Sequence, residues 1–263
     1  MSDETSKEYS FIDTNVLFDI VYPQRTRHTK AIAFYKGFRN LELCIENIVN
    51  KEANKVTIEY ASNFGTDLIR FLVSEERHSP AWDTLNRDRR VKRIQDFVSW
   101  IKGHYAPDSP SFPFYMVIIT GIQAILPDYS LLELKEYVIE LPNSLLDWLR
   151  TNIRSRFSIH VPIYDPEDES IRKFQQDLKG LMQDGYFEKR QSADVMIFIN
   201  LFLLLLVGSA SAKYINELYY YTYDHPALTS FEKFKGKGPL MKEGRYNEWL
   251  KKGFTAINMK EPY

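Results

Sequence analysis

The sequence predicts an α/β protein: a short, mostly parallel sheet with helices on both faces (α/β/α), carrying a helical insertion. Three observations lead there. Phe11-Ile12-Asp13-Thr14-Asn15-Val16-Leu17-Phe18 is an apolar run that ends in an aspartate and continues into small polar residues able to start a helix. Tyr219-Tyr220-Tyr221-Thr222-Tyr223-Asp224 is a β-favouring aromatic run ending in Thr-x-Asp, far along the chain from the first. Between them, from about residue 63, the pattern changes to charge-dense and amphipathic segments that a compact core does not need. Ligands of open α/β sheets bind beyond the carboxyl ends of the strands, so aspartates at two such ends can meet in one crevice.

The elements follow in order. Residues 8–13 read as a strand, and Thr29 to Phe38 as a helix with Ile32, Tyr35 and Phe38 near its buried side. Leu41, Leu43 and Ile45 alternate as a strand does. Asn47 is placed to cap the next helix, which carries Glu52 and Glu59 on roughly one face because they are two turns apart. Ser74 to Arg93 is charge-dense, and Ala106 to Pro113 is rich in proline and serine. Ser130-Leu131-Leu132-Glu133 forms a capping box for a helix expected to end before Pro142, with Asn143 capping a further amphipathic helix through Leu145, Leu146, Trp148 and Leu149. A strand is expected at Ile159 to Ile163. Asp165-Pro166-Glu167-Asp168 then supplies an N-cap, a first-turn proline and first-turn acids for a helix with Ile171, Phe174, Leu178 and Leu181 at helical spacing.

Val195 to Ala210 is an uncharged apolar run interrupted by Asn200 and Gly208. It is shorter than the roughly 18 to 20 residues of a membrane span, so it reads as a helix buried against the sheet. Residues 212–217 then turn into the Tyr-rich strand.

Composition bounds the function. The chain has 263 residues, of which 44% are hydrophobic and 14% aromatic, enough for a substantial core. Its net charge of -1 provides no global field for nucleic acid, so any such contact is local. One cysteine, Cys44, excludes an internal disulfide and cysteine-cluster zinc, which suits a reducing interior. Met1 to Lys7 lacks an apolar signal core, and a cytoplasmic protein without a membrane segment is expected.

Four short motifs, taken together, resemble the PIN-domain nucleases. They are Asp13 in Asp-Thr-Asn, Glu52 in Ile48-Val49-Asn50-Lys51-Glu52-Ala53, Asp194 in Ser192-Ala193-Asp194-Val195-Met196, and Asp224 in Thr222-Tyr223-Asp224, in the family's order. The resemblance implies a PIN-like three-layer α/β/α catalytic core over residues 8–62 and 158–232. It leaves 63–157 as a helical insertion and 233–263 as a C-terminal tail packing on the core. It further implies that Asp13, Glu52, Asp194 and Asp224 bind one or two Mg²⁺ or Mn²⁺ ions and hydrolyse RNA, or DNA in some relatives. Asn15 and Thr222 are expected to support them, and Glu59 competes with Glu52.

Oxygen-only donors favour magnesium or manganese over zinc. Such an ion can hold a phosphate oxygen, help make a nucleophile from water and neutralise the leaving oxygen. Plainer roles stand beside these. Asp13 and Asp194 can serve helix N-termini, Asp224 a turn before His225-Pro226, and Asp165, Asp168 and Asp184 capping or solvated charge; Glu46 is expected to be exposed. Arg87, Arg89, Arg90, Lys92 and Arg93 form one basic stretch, and Lys233, Lys235, Lys237 and Lys242 another, interleaved with Phe231, Phe234 and Trp249. Either can grip phosphates, with the aromatics stacking bases. The alternatives are a catalytically silent PIN-like RNA-binding or scaffold protein and, less favoured, an Asp-based phosphatase, which wants a second aspartate where Asn15 stands. Among protein partners, an antitoxin-like one or a second copy of the chain stays open.

Overall fold

A computed structural model describes residues 7–38, 43–76, 81–159, 167–188, 191–210, 215–237 and 254–258. The elements are β1 (Lys7–Ile12), α1 (Thr14–Val21), α2 (His28–Gly37), β2 (Leu43–Ile45), α3 (Asn47–Glu76), α4 (Arg87–His104), α5 (Phe112–Ile122) and α6 (Leu131–Arg156). They continue with β3 (Ser158–Ile159), α7 (Glu169–Gln183), α8 (Ser192–Ala210), β4 (Ile215–Thr222), α9 (His225–Lys237) and β5 (Phe254–Asn258). The chain divides into two compact units, one of Met1–Leu17, Ala33–Glu52 and Arg154–Tyr263, the other of Phe18–Ile32 and Ala53–Ile153. The division falls at Ala53, inside α3, and the second unit also takes in the segment after Leu17.

The first unit holds the sheet. Its five described strands run in the order β3-β2-β1-β4-β5, and every pairing is parallel. Phe11 stands opposite Cys44 on one side and Tyr220 on the other, and Ile12 opposite Tyr221. A parallel strand buried on both faces reads as an apolar run, as Phe11-Ile12 and Leu43-Cys44-Ile45 do. Tyr220 and Tyr221 point to opposite faces because side chains alternate along a strand. Phe34 and Phe38 of α2 lie against Tyr221, while Phe198 of α8 lies against Tyr220. Helices therefore cover both faces, giving three layers. The expected C-terminal tail contributes β5 at the sheet edge, parallel to β4.

The apolar run 195–210 lies in α8, whose residues 197–199 and 201–205 are buried. No helix among the described residues is long and apolar enough to cross a membrane. Phe174 of α7 stacks on Phe202, and Phe231 of α9 stacks on Phe198 at 4.4 Å. Phe231 and Phe234 are consequently core residues, not free stacking platforms for bases. Trp249 and Lys242, together with the side chains of Lys235 and Lys237, lie outside the described residues.

Several local expectations need correction. The cap of α3 is Glu46 rather than Asn47: its carboxylate accepts the Ile48 N–H, and its carbonyl accepts Asn50 N–H at 3.1 Å. Asp168 precedes α7, its carbonyl accepting Arg172 N–H at 3.0 Å, whereas Asp165, Pro166 and the strand expected through Ile163 lie largely outside the described residues. The Tyr-rich strand begins earlier, at Ile215, and Leu41 also falls outside the description.

Among its described residues the second unit is helical. Trp82, Phe64, Phe97, Phe114 and Tyr115 are fully buried, with Phe64 edge-on to both Phe97 and Tyr115. The capping box forms reciprocally: Glu133 accepts Ser130 N–H at 2.6 Å, and the Ser130 hydroxyl accepts Glu133 N–H at 3.2 Å. The helix it opens does not stop at Pro142 but runs on as one element to Arg156. Proline costs an interior helix its N–H and crowds the carbonyl four residues back, which here is that of Val138. Packing on both sides of the proline, by Leu134, Leu141, Leu146 and Leu149, carries α6 through. At that same turn Gly65 of α3 meets α6, and a Cβ there would stand 2.5 Å from Val138 Cγ1.

Gly65→Ala therefore sets helix propensity against overpacking. Alanine gains up to about 1 kcal/mol in an interior helix, while forcing a methyl into a filled contact costs about 1–3 kcal/mol. A net destabilisation is expected, read as a lower urea midpoint with an unchanged slope. An unchanged or higher midpoint would show that α6 can move away.

Candidate functional site

The strand order places the site. The chain leaves β1 towards β2 and β3 on one side and returns to β4 on the other, so the boundary between β1 and β4 is the topological switch point where open sheets bind ligands. Asp13 follows β1 and Asp224 follows β4 by two residues. The parallel ladder continues one step beyond β1, with Asp13 N–H donating to Tyr221 O at 2.9 Å. That register brings Thr222 beside Asp13, although they are 209 residues apart in sequence.

Asp13 is buried, and its two carboxylate oxygens are held separately. Oδ1 accepts the Thr14 N–H at 2.7 Å, and Oδ2 accepts the Thr222 hydroxyl at 2.9 Å. The Thr222 oxygen in turn accepts Asp224 N–H at 2.9 Å. Asp224 Oδ1 caps α9 by accepting Ala227 N–H at 2.9 Å. The Thr14 hydroxyl donates to Glu52 Oε2 at 2.5 Å. One threonine thus ties Asp13 to Asp224 and another ties it to Glu52. Asp194, in the first turn of α8, is half-buried and senses the charges of Asp224, Asp13 and Glu52.

The four acids expected from the sequence therefore act on one another within the first unit, graded from the buried Asp13 through the half-buried Asp194 and Asp224 to the exposed Glu52. Burial, reinforced by Glu52 and Asp224 against the two hydrogen bonds, raises the Asp13 pKa from 3.8 to about 6. Burial followed by Asp224, Asp13 and Glu52 raises that of Asp194 to about 7. Desolvation is the larger cause, and repulsion acts in the same direction: two unit charges about 5 Å apart oppose each other by roughly 3 kcal/mol at an effective dielectric near 20.

Other candidates are used differently. Asn15 is exposed and its side chain has no hydrogen-bond partner among the described residues, so Thr14 supplies the orienting contacts expected of it. Glu59 is exposed and belongs to the second unit. The basic stretch of α4 is not one phosphate-facing surface. Arg87 pairs with Asp128 at 2.7 Å, and Arg93 is buried. Arg90 lies over the Trp82 ring and donates to the Tyr129 carbonyl at 3.0 Å. Only Arg89 and Lys92 of that stretch are exposed without such roles. A helix amphipathic enough to bury Ile94 and Phe97 turns some of its arginines inward as well.

Three residues depart from what the sequence revealed. Thr14 was visible only as a motif position. Tyr220 is buried with its phenol facing Asp13, Asp194 and Glu52; burial and then those charges hold its pKa far above the ordinary value. Glu46, expected at the surface, is buried, accepting Asn200 Nδ2–H at 3.0 Å, while Gln175 donates to Asn200 Oδ1 at 3.2 Å. Asn200, the polar interruption of the apolar run, was the one signal pointing to a buried partner. Burial raises the Glu46 pKa, against its hydrogen bonds and Lys51.

These shifts set a pH dependence whose sign is fixed. A carboxyl with a raised folded pKa binds its proton more tightly when folded, so its contribution is complete below about pH 4 and is lost as pH rises through the folded value. In chelator, the urea midpoint should fall as pH rises through 6 and 7, the values for Asp13 and Asp194. Asp13→Asn with Asp194→Asn should flatten that fall. An unaltered profile in the double variant would remove these acids as its origin.

The donor set suits a hard divalent ion, since every candidate ligand atom is a carboxylate oxygen. Among the described residues no three His, Cys, Asp or Glu side chains are close enough to hold one ion by direct ligation. Magnesium commonly keeps several waters and uses one or two carboxylates with substrate phosphates, which this spread-out arrangement fits. No protein-family model, curated protein or solved structure matches the chain.

Proposed function

We propose that this protein is a metal-dependent nuclease of PIN-like build that hydrolyses phosphodiester bonds, RNA before DNA. The observation that carries the reading is the switch-point geometry: Asp13 and Asp224 end adjacent parallel strands, joined through Thr222, with Asp194 and Glu52 contributing charge to the same place. The preference for RNA rests on the motif resemblance alone.

Asp13, Asp194, Asp224 and Glu52 would hold Mg²⁺ or Mn²⁺. When bound, such an ion supplies Lewis acidity to a phosphate oxygen and lowers the pKa of a water. The chain's own contribution is positioning. Thr14 and Thr222 fix the rotamer of Asp13 by giving each oxygen one donor, leaving further lone pairs for a ligand. Tyr220 keeps a neutral phenol against the acids, closing the buried side without adding charge. Asp13 and Asp224 precede α1 and α9, so the partial positive charge of each N-terminus offsets part of the carboxylate repulsion.

One observation favours a second reading, a PIN-like protein that holds RNA without cutting it. The absence, among the described residues, of three acids within direct reach of one ion is what such a scaffold would show.

Incubation of single-stranded RNA, structured RNA and DNA with the full chain, in Mn²⁺, Mg²⁺ or EDTA, separates the two. Metal-dependent cleavage is expected, lost in Asp13→Asn. Thr222→Val, which removes an outer-shell donor, should lower metal affinity or activity about 10–100-fold. Mn²⁺ should raise the melting temperature of the wild type in proportion to RT ln(1 + [L]/Kd), and not that of Asp13→Asn. RNA binding with no metal-dependent cleavage would establish the scaffold reading instead.

A further inference from the structure

We propose that the helical unit carries a second binding site, a cleft between α3, α4 and α5 that takes a nucleotide. The cleft has a volume of about 340 Å³ and is lined by Tyr60, Asn63, Asp67, Arg70, Tyr105 and Tyr115, among others. All of these residues belong to the second unit, so the site is built within it.

Its chemistry is arranged along one face of α3. Tyr60, Asn63, Asp67 and Arg70 recur at spacings of three and four, which puts them on one side of a helix. From Asn63 to Arg70 the polar groups extend over about 10 Å at 1.5 Å per residue. Asp67 and Arg70, one turn apart and about 4.5 Å along the axis, put a carboxylate and a guanidinium on that face, and the long arginine side chain extends the reach between them.

The Tyr105 hydroxyl donates to Asp67 Oδ2 at 2.5 Å and is hydrogen-bonded by Tyr115, whose pKa burial and Tyr105 push well above the ordinary value. These two bonds lock the carboxylate and both rings, leaving Asp67 Oδ1 and the second lone pair of Oδ2 as adjacent acceptors for ligand N–H groups. Arg70 is exposed and has no ion pair among the described residues, so its fork of donors is available for a phosphate. Tyr60 is half-buried, its ring held edge-on by Phe114 at 5.0 Å, and offers a surface for stacking. A cleft with aromatic walls, one oriented carboxylate and one exposed guanidinium matches a nucleotide whose base donates N–H to a carboxylate. Guanine does so best, having two adjacent donors on its Watson–Crick edge.

The source of the nucleotide is either a free 5′-monophosphate or an unpaired residue of a strand. The second source rests on the nuclease reading, whereas the first does not. The test is binding by the full chain in EDTA, where metal chemistry is silent, with GMP, UMP, inorganic phosphate and a fluorescein-labelled guanine-containing single-stranded RNA. GMP or the RNA should bind, UMP at least tenfold more weakly than GMP. Arg70→Gln and Asp67→Asn should each weaken binding tenfold or more, and Asp67→Asn should also narrow the difference between GMP and UMP. Unchanged melting temperatures would establish that both variants fold, and Tyr60→Leu supplies a third variant on the stacking wall. Binding of GMP alone assigns the cleft to a free nucleotide, and binding of the RNA, weakened by the same variants, assigns it to a strand. Absence of binding by either probe overturns the proposal, as does binding that all three variants leave intact or inorganic phosphate that competes as well as GMP. Because cleavage is not measured, failure of the nuclease reading leaves these outcomes unaffected.

Discussion

The parallel pairing of β1 with β4 is the constraint on which the candidate site depends. It aligns Ile12 with Tyr221, so the next residue of one strand end, Asp13, receives a hydrogen bond from Thr222 at the other. A slip of one residue would turn Thr222 to the opposite face and leave the buried Asp13 without that donor. Burial on both faces protects the register, with Phe198 packed on Tyr220 from one side and Phe34 and Phe38 on Tyr221 from the other. The residues that hold the sheet thus also set the spacing of its acids.

Gathering acids beyond a sheet has an electrostatic cost, which adds to that of burial in raising the pKa values of Asp13 and Asp194. The fold limits it in two ways. Asp13 and Asp224 occupy helix N-termini, where unpaired N–H groups and the macrodipole favour negative charge, and Asp194 lies in the first turn of α8. Threonine hydroxyls and backbone N–H groups then satisfy individual oxygens. Capping and ligation are therefore not exclusive, because a carboxylate has more acceptor positions than one N–H uses. The charge left over is what a cation would neutralise.

The helical unit spends its polar residues differently. Arg90 is held by the Trp82 ring and main-chain carbonyls, and Arg87 by Asp128, so a stretch that reads as a charge cluster is largely internal bracing. In the cleft along α3 the contrast runs the other way. Tyr105 and Tyr115 orient Asp67, while Arg70 on the same helix face has no ion-pair partner among the described residues. Charge density in the sequence and availability of charge at the surface are separate properties, and only packing distinguishes them.

Motif resemblance singled out the four acids; the sequence by itself determined the α/β class, the ends of β1 and β4, the apolar helix at 195–210 and the capping box at Ser130. Each of these is written in local pattern: apolar runs that stop at an aspartate, an uncharged helix-length stretch, Ser-x-x-Glu spacing. Tertiary structure alone decided the rest. Pro142 does not end α6, since burial of leucines on both sides outweighs a single lost hydrogen bond. Glu46 is interior because Asn200, 154 residues away, meets it there. Thr14 rather than Asn15 orients the acids, since helix geometry turns Asn15 to solvent. Tyr220 joins the site while Tyr221 packs under α2, a choice made by strand alternation within a five-strand sheet. Local sequence carries propensity and period, but the burial of a polar group and the identity of its partner depend on contacts between segments distant along the chain, and those exist only once the strands have paired.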